Sequence, residues 1–397
     1  MDNSKVNVSD TTFSLNKYPI WIKGPLSEIV YSGNTFINNA YPYYDNTNYF
    51  VQEDAIFMGT GALTDQDFNL PSQTGLDAYV LLENFTIPAD VRMTVEPGVT
   101  LRMENDNYLT VLGFLNAVGT PTLPIHFSSI PSSDPNIKLN WGGLYFDGNA
   151  GNGGGLISHA IVEQGGSNFL PPACSGTCGS AQTAVFIKDL PTNKSLEFNN
   201  SIIQGSLNRG LFVVNSQSAQ LDRNLIKGGK IGAHFVSNMT ISNLALIDQA
   251  NDGVIVENGY TLDARHLTIS GAGQSGLHVL SGGTGLLRNS ILSHNALAAW
   301  AEGSGSISMD TNLSDANTAF QVGTVTATNT IEGPAEFKAD GYHIQDNSSA
   351  VSEGLRGLSG VDIDGDARSW PAATKPDLGV DEISAGFLRV YIPFIVR

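Results

Sequence analysis

The sequence predicts an all-β protein folded as a right-handed parallel β-helix, a solenoid whose coils are about 22 residues long. Three observations carry this expectation. Apolar segments recur at near-constant spacing, glycine and small polar residues stand where a globular chain carries charge, and no long stretch has apolar residues at helical spacing.

The recurrence is read in two series. Thr12-Phe13-Ser14-Leu15-Asn16-Lys17-Tyr18-Pro19 returns as Thr35-Phe36-Ile37-Asn38-Asn39-Ala40-Tyr41-Pro42, each matched pair 23 residues apart. In the second series, Asn200-Ser201-Ile202-Ile203 is followed by Gly210-Leu211-Phe212-Val213. Asn243-Leu244-Ala245-Leu246 precedes Gly253-Val254-Ile255-Val256 in the same way, and His266-Leu267-Thr268-Ile269 precedes Gly276-Leu277-His278-Val279. Asn224-Leu225-Ile226 leads to Gly232 after a shorter turn, and Asn289 and Asn312 open further copies. Glycines 210, 232, 253 and 276 are 22, 21 and 23 residues apart.

Strands of four or five residues cannot bury a face alone, but parallel stacking about 4.8 Å apart closes an apolar interior. Alternation then sends Leu211, Ala233, Val254 and Leu277 inward, with Val213, Phe235, Val256 and Val279. Phe212, His234, Ile255 and His278 are expected in one outward column. The recurring Asn is expected at a bend, its amide bonding along the stack. The leucine-rich-repeat pattern is absent despite a compatible period.

The chain has 397 residues, 41% hydrophobic and 15% charged, with 43 glycines. Its net charge of −18 argues against nucleic acid, which needs clustered Lys and Arg. It suits an extracellular surface and divalent cations. The two cysteines, Cys174 and Cys178, lie in a Pro/Gly-rich loop and read as a small disulfide rather than a metal site. No run of about 18 apolar residues offers a membrane span. Met1-Asp2-Asn3-Ser4-Lys5 is no signal peptide, so the chain is expected to be a piece of a longer exported protein.

The main coil series opens with Thr94-Val95-Glu96-Pro97-Gly98-Val99, Pro124-Ile125-His126-Phe127 and Trp141-Gly142-Gly143-Leu144-Tyr145-Phe146. These segments resemble those of exported bacterial right-handed parallel β-helix proteins. Asp362-Ile363-Asp364-Gly365-Asp366 and Asp377-Leu378-Gly379-Val380-Asp381-Glu382 are similar to the ending of the same proteins. This resemblance implies fold and export, while members of this family differ in function. The expected organisation is coils of a preceding section over 1–48 and a connection over 49–83. The main helix is expected over 84–335, with a loop insertion at 165–183, and a cap and tail over 336–397. Two coil-like repeats ahead of the Glu96-Pro97-Gly98 segment depart from the family pattern. A chain starting inside a repeat suggests end-to-end self-association, and the apolar tail Phe387–Arg397 suggests docking or attachment.

Candidate sites follow from the columns. Residues preceding the bend Asn read Asn199, Arg223, Ser242, Arg265, Arg288 and Thr311, a basic strip on an acidic protein. With His266 and His294 nearby, Arg223, Arg265 and Arg288 could neutralise a uronate while an imidazole removes its C5 proton. Alternatively, Arg223 and Arg265 pair with Asp222 and Asp263 as surface ladders. Phe212, His234 and His278, with Asp248 and Asp252 in the adjacent turn, form a candidate ligand-binding strip; its alternative is a covered sheet face. Asp362, Asp364 and Asp366, completed by Asp377 and Asp381, suggest a structural calcium ion, although the spacing departs from an EF-hand. The motifs of pectin-degrading hydrolases and lyases and the Thr-x-Thr ranks of ice-binding solenoids are missing.

Two function classes remain. One is a secreted or cell-surface structural or adhesive module that contacts a polysaccharide or cell-surface glycan; the other is a polysaccharide lyase or glycoside hydrolase working in a groove beside one sheet.

Overall fold

A computed structural model describes residues 5–22, 28–42, 50–59, 67–132, 138–150, 153–167, 182–358, 360–368 and 375–383. Short strands stack in three parallel ladders to form a parallel β-helix of about eleven turns. Sheet 1 climbs from Phe68–Leu70 through Arg92–Val95 and Leu196–Asn199 to Val325–Thr328. Sheet 2 runs from Ile20–Ile22 through Ala55–Met58 and Ala78–Leu81 to Ile331–Glu332. Sheet 3 runs from Phe85–Ile87 through Arg209–Val214 and Ser275–Val279 to Ala319–Val322. The sheet 2 ladder crosses both limits expected near 48 and 83, pairing Ile20 with Ile56 and Tyr79 with Leu101. The 23-residue repeat stacks as it reads: Thr12 pairs Thr35, and the Phe13 and Phe36 rings lie 5.2 Å apart.

Every predicted inward residue of sheet 3 is buried in the central core. The four glycines stand one above the next. A Cβ on Gly210, Gly232 or Gly253 would come 2.9, 2.5 or 2.7 Å from the carbonyl oxygen of the following glycine. It would also meet a methyl of Ile226, Leu246 or Ile269 at 2.4 Å. Glycine here makes room for a neighbouring coil.

Two corners turn the chain through left-handed residues. Between sheets 1 and 2 these include Asn200, Arg223, Asn243, His266, Asn289 and Thr311; between sheets 2 and 3 they include Gly205, Gly228, Asp248, Gly271 and His294. Tight corners leave backbone N–H groups without a strand partner, and buried side chains from the coil above supply acceptors. Asn224 Oδ1 accepts from the Ser201 N–H (3.0 Å), and its amide donates to the Phe198 carbonyl (2.7 Å). Asn312 repeats this with Ser290 and Leu287, and Asn295 does so at the second corner with Ala272 and Ile269.

A cap and tail are expected over 336–397, and the described residues after 333 pack along the flank of the coils. Ala335, Ile344, Ala350 and Leu378 pack on Ile291 and Leu313. The side chain of Asn289 donates to the Leu355 carbonyl and accepts from its N–H, each at 2.7 Å. Further along, Asn243 donates to the Val361 carbonyl, and Arg368 reaches Asn243 Oδ1 at 2.9 Å. We call this segment the strap. Cys174, Cys178 and the tail 387–397 lie outside the described residues.

Gly253→Ala should destabilise the protein by about 1–3 kcal/mol by forcing coils apart, whereas Gly360→Ala, with open space around it, should be neutral. Urea midpoints compare them. Asn289→Ala should loosen the strap, costing about 1–3 kcal/mol in unpaired groups. Limited proteolysis should then cut after residue 333 at protease concentrations that leave the parent intact.

Candidate functional site

The outer face of sheet 1 is polar because its outward positions carry Gln220, Asp222, Thr240, Ser242, Asp263 and Arg265, while Leu221, Ile241 and Ala264 between them face the core. Together with Leu358 of the strap these residues line an open groove of about 600 Å³. Strand pairing puts Asp222, Ser242, Arg265, Arg288 and Asp310 in one column.

Arg223 is absent from that column and sits on the corner itself, in left-handed conformation with His266 and Asn289. The expected strip of three arginines is therefore two arginines in the column, of which Arg265 lines the groove, and one on the corner. The reason is local. Asn224 and Asn312 occupy the inner position one residue past the bend, so aligning them with Asn243 and Asn289 shifts their coils by one.

All three guanidinium groups have carboxylate partners. Arg223 Nε lies 3.0 Å from Asp222, whose other oxygen accepts from Ser242 and Asn243. Asp263 is clamped between Arg265 (2.6 Å) and Arg288 (2.5 Å). Burial raises the pKa of Asp263, but the hydrogen bonds from Arg265 and Arg288 outweigh it and hold the carboxyl below its ordinary value. The ladder of surface ion pairs expected as the alternative is thus the arrangement present.

The two candidate bases are placed apart. His266 is fully buried under the strap, its Nε2 3.2 Å from Asn289 Nδ2. Burial, with Arg368 adding to it, pushes its pKa well down and keeps the ring neutral. His294 is exposed on the second corner, its Nδ1 2.6 Å from Ser293 Oγ and 4.0 Å from Asp315. An imidazole beneath a packed segment has no reach to a polymer lying on sheet 1.

Phe212, His234, Ile255 and His278 form the expected outward column on sheet 3, continued by Tyr145 and Phe186 on one side and Trp300 on the other. Their rings stack on each other: 5.1 Å from Phe186 to Phe212, 4.8 Å from Phe212 to His234, 4.0 Å from His278 to Trp300. All but Trp300 are buried. His234 is held between Arg209 Nε and Glu257, each at 3.0 Å, and burial lowers its pKa. Asp252 accepts from the Ser275 hydroxyl, and exposed Asp248 lies on the second corner. This column is already occupied by its own contacts.

The five expected calcium ligands do not converge. Asp362 takes the N–H groups of Asp364, Asp366 and Glu382, and Asp377 takes those of Ser352 and Ile383. Both carboxyls are buried around Arg368, and burial raises their pKa values. Asp366 is exposed. Asp364 and Asp381 instead come together with His343, a residue the sequence reading passed over. Hydrogen bonding to Asp364, opposed by burial and aided by Asp340, raises the His343 pKa to about 9.

Residues 179–314 match the family described as "Right handed beta helix region". The solenoid is a right-handed β-helix. No curated protein and no solved structure matches the chain. None of the helices among the described residues is long and apolar enough to cross a membrane.

Asp263→Asn should cost about 1 kcal/mol or less per lost ion pair at pH 7. Because the folded pKa is depressed, this contribution is fully present above about pH 4. It disappears as pH falls through the lower folded value. Urea midpoints of the two proteins should therefore differ at pH 7 and converge only in acid below that lowered value.

Proposed function

We propose that this right-handed β-helix is a non-catalytic, glycan-contacting module of an exported or cell-surface protein, as its sequence resemblance to exported bacterial β-helices suggests. The observation that carries the reading is the open polar face of sheet 1. Successive coils present Gln220, Asp222, Thr240, Ser242, Asp263 and Arg265 along a groove bordered by Leu358. Hydroxyl, amide and charged groups repeat at the spacing of stacked strands, about 4.8 Å, along a straight track. An extended polysaccharide offers a similar row of hydroxyl donors and acceptors, and charge-assisted bonds from fixed side chains favour it without a large ordering cost.

Pairing of every guanidinium at the groove with a carboxylate favours a neutral or weakly charged glycan over a polyuronate. A β-elimination site would need a free cation at the sugar carboxylate and a base within reach of C5. Here the cations are neutralised and His266 lies beneath the strap.

Affinity electrophoresis through gels containing neutral and acidic polysaccharides tests this. Retardation is expected in at least one neutral gel, with affinity reduced roughly tenfold in Gln220→Ala/Thr240→Ala through the loss of two hydrogen bonds. Release of reducing ends or of unsaturated sugars absorbing in the ultraviolet would replace this reading with the enzymatic one.

A further inference from the structure

We infer that His343, Asp364 and Asp381 of the strap form a binding site for a divalent transition-metal ion of the zinc class. The three come from separate turns of the strap, yet His343 nitrogen and one carboxylate oxygen from each aspartate lie within 4.8 Å of one another. His343 Nε2 is 2.8 Å from Asp364 Oδ2. Asp381 is buried, and its Oδ2 accepts the Ile344 N–H at 2.8 Å, which fixes the carboxylate beside the imidazole. Zinc–ligand distances of about 2.0–2.2 Å require the three groups to draw in around the ion, and the exposed Asp364 side chain is the one with room to move.

The orientation of the imidazole is a separate observation. His343 Nδ1 bonds to Asp340 Oδ2 at 2.7 Å. Asp340 is itself held by the N–H groups of Tyr342 and His343, at 3.2 and 3.1 Å. A carboxylate behind the distal ring nitrogen is the arrangement that fixes the tautomer of metal-ligating histidines and raises their basicity. It leaves Nε2 aimed at the two aspartates.

The donor set decides the metal class. Calcium takes six to eight oxygen ligands. The aspartates that would complete such a shell, Asp362 and Asp377, already hold five backbone N–H groups between them. One imidazole and two carboxylates suit zinc-like ions, with a further position open to water. That position has an outlet. Asp364 and Tyr342 line a pocket of about 290 Å³ shared with His159, Asn200 and Arg223. Since binding replaces the proton between Nε2 and Asp364, affinity rises with pH. A bound ion links residues 343, 364 and 381 and tightens the strap on the flank.

Isothermal titration of tag-free, chelator-washed protein with zinc chloride, and separately with calcium chloride, decides the matter. One zinc ion per chain is expected, with a rise in Tm. Asp340→Asn should weaken binding about 10–100-fold. His343→Ala and Asp364→Asn should remove saturable binding and the rise in Tm; the second alters an exposed side chain and leaves the fold intact. The proposal is overturned by absence of saturable zinc binding, by zinc binding that persists in both variants, or by calcium binding of equal strength that survives His343→Ala.

Discussion

The whole molecule depends on one constraint: each coil must close its own circuit while keeping every turn in step with the coil above. Strand pairing satisfies the backbone along the flat sides, but the corners break it. The left-handed residues at 200, 223, 243, 266, 289 and 311 make the turn, and side-chain amides and hydroxyls in the next position accept the N–H groups that the turn strands. Burying an unpaired amide costs about 1–3 kcal/mol. Repeated coil after coil, an unsatisfied corner would outweigh the modest net stability of a folded chain. The polar columns inside an apolar solenoid are thus part of what holds it together.

Function is shaped by the same geometry. A stack in register turns single residues into rows, and the outward rows differ by sheet. Sheet 3 carries a mostly aromatic row whose rings stack on each other and which, Trp300 apart, is buried. The flank of sheet 2 is covered by the strap, which docks on corner residues such as Asn243 and Asn289. Sheet 1 keeps its polar row open along a groove. Its arginines and aspartates neutralise each other, so what it offers a ligand is hydrogen bonding rather than net charge.

The repeat was legible because it is physical: Thr12/Thr35, Phe13/Phe36 and the glycine column are contacts between neighbouring coils, and a fixed period follows from fixed coil circumference. What misled the reading was the double use of asparagine. It tolerates the left-handed bend at 200, 243 and 289, and its amide also serves the inner position at 224 and 312. Matching Asn to Asn therefore moved Arg223 and Thr311 one place out of column. The strap was opaque for a different reason. It has no period, and its contacts join residues as far apart as Asn243 and Arg368. The aspartates at 362 and 377 looked like ligands because carboxylates that collect backbone N–H groups and carboxylates that hold cations share a composition. His343 meets Asp364 and Asp381 only after the strap has folded.

The most direct test of in-register stacking is a pair of spin-label distances on the outer face of sheet 1. Thr240, Asp263, Leu286, Ser308 and Thr326 follow one another up the ladder. Labels at Thr240→Cys and Thr326→Cys, with both native cysteines replaced by serine, should lie about 19 Å apart, four strand spacings. Moving the second label to Ser308→Cys should remove about 5 Å. Distances that fail to grow by one spacing per coil would contradict the account.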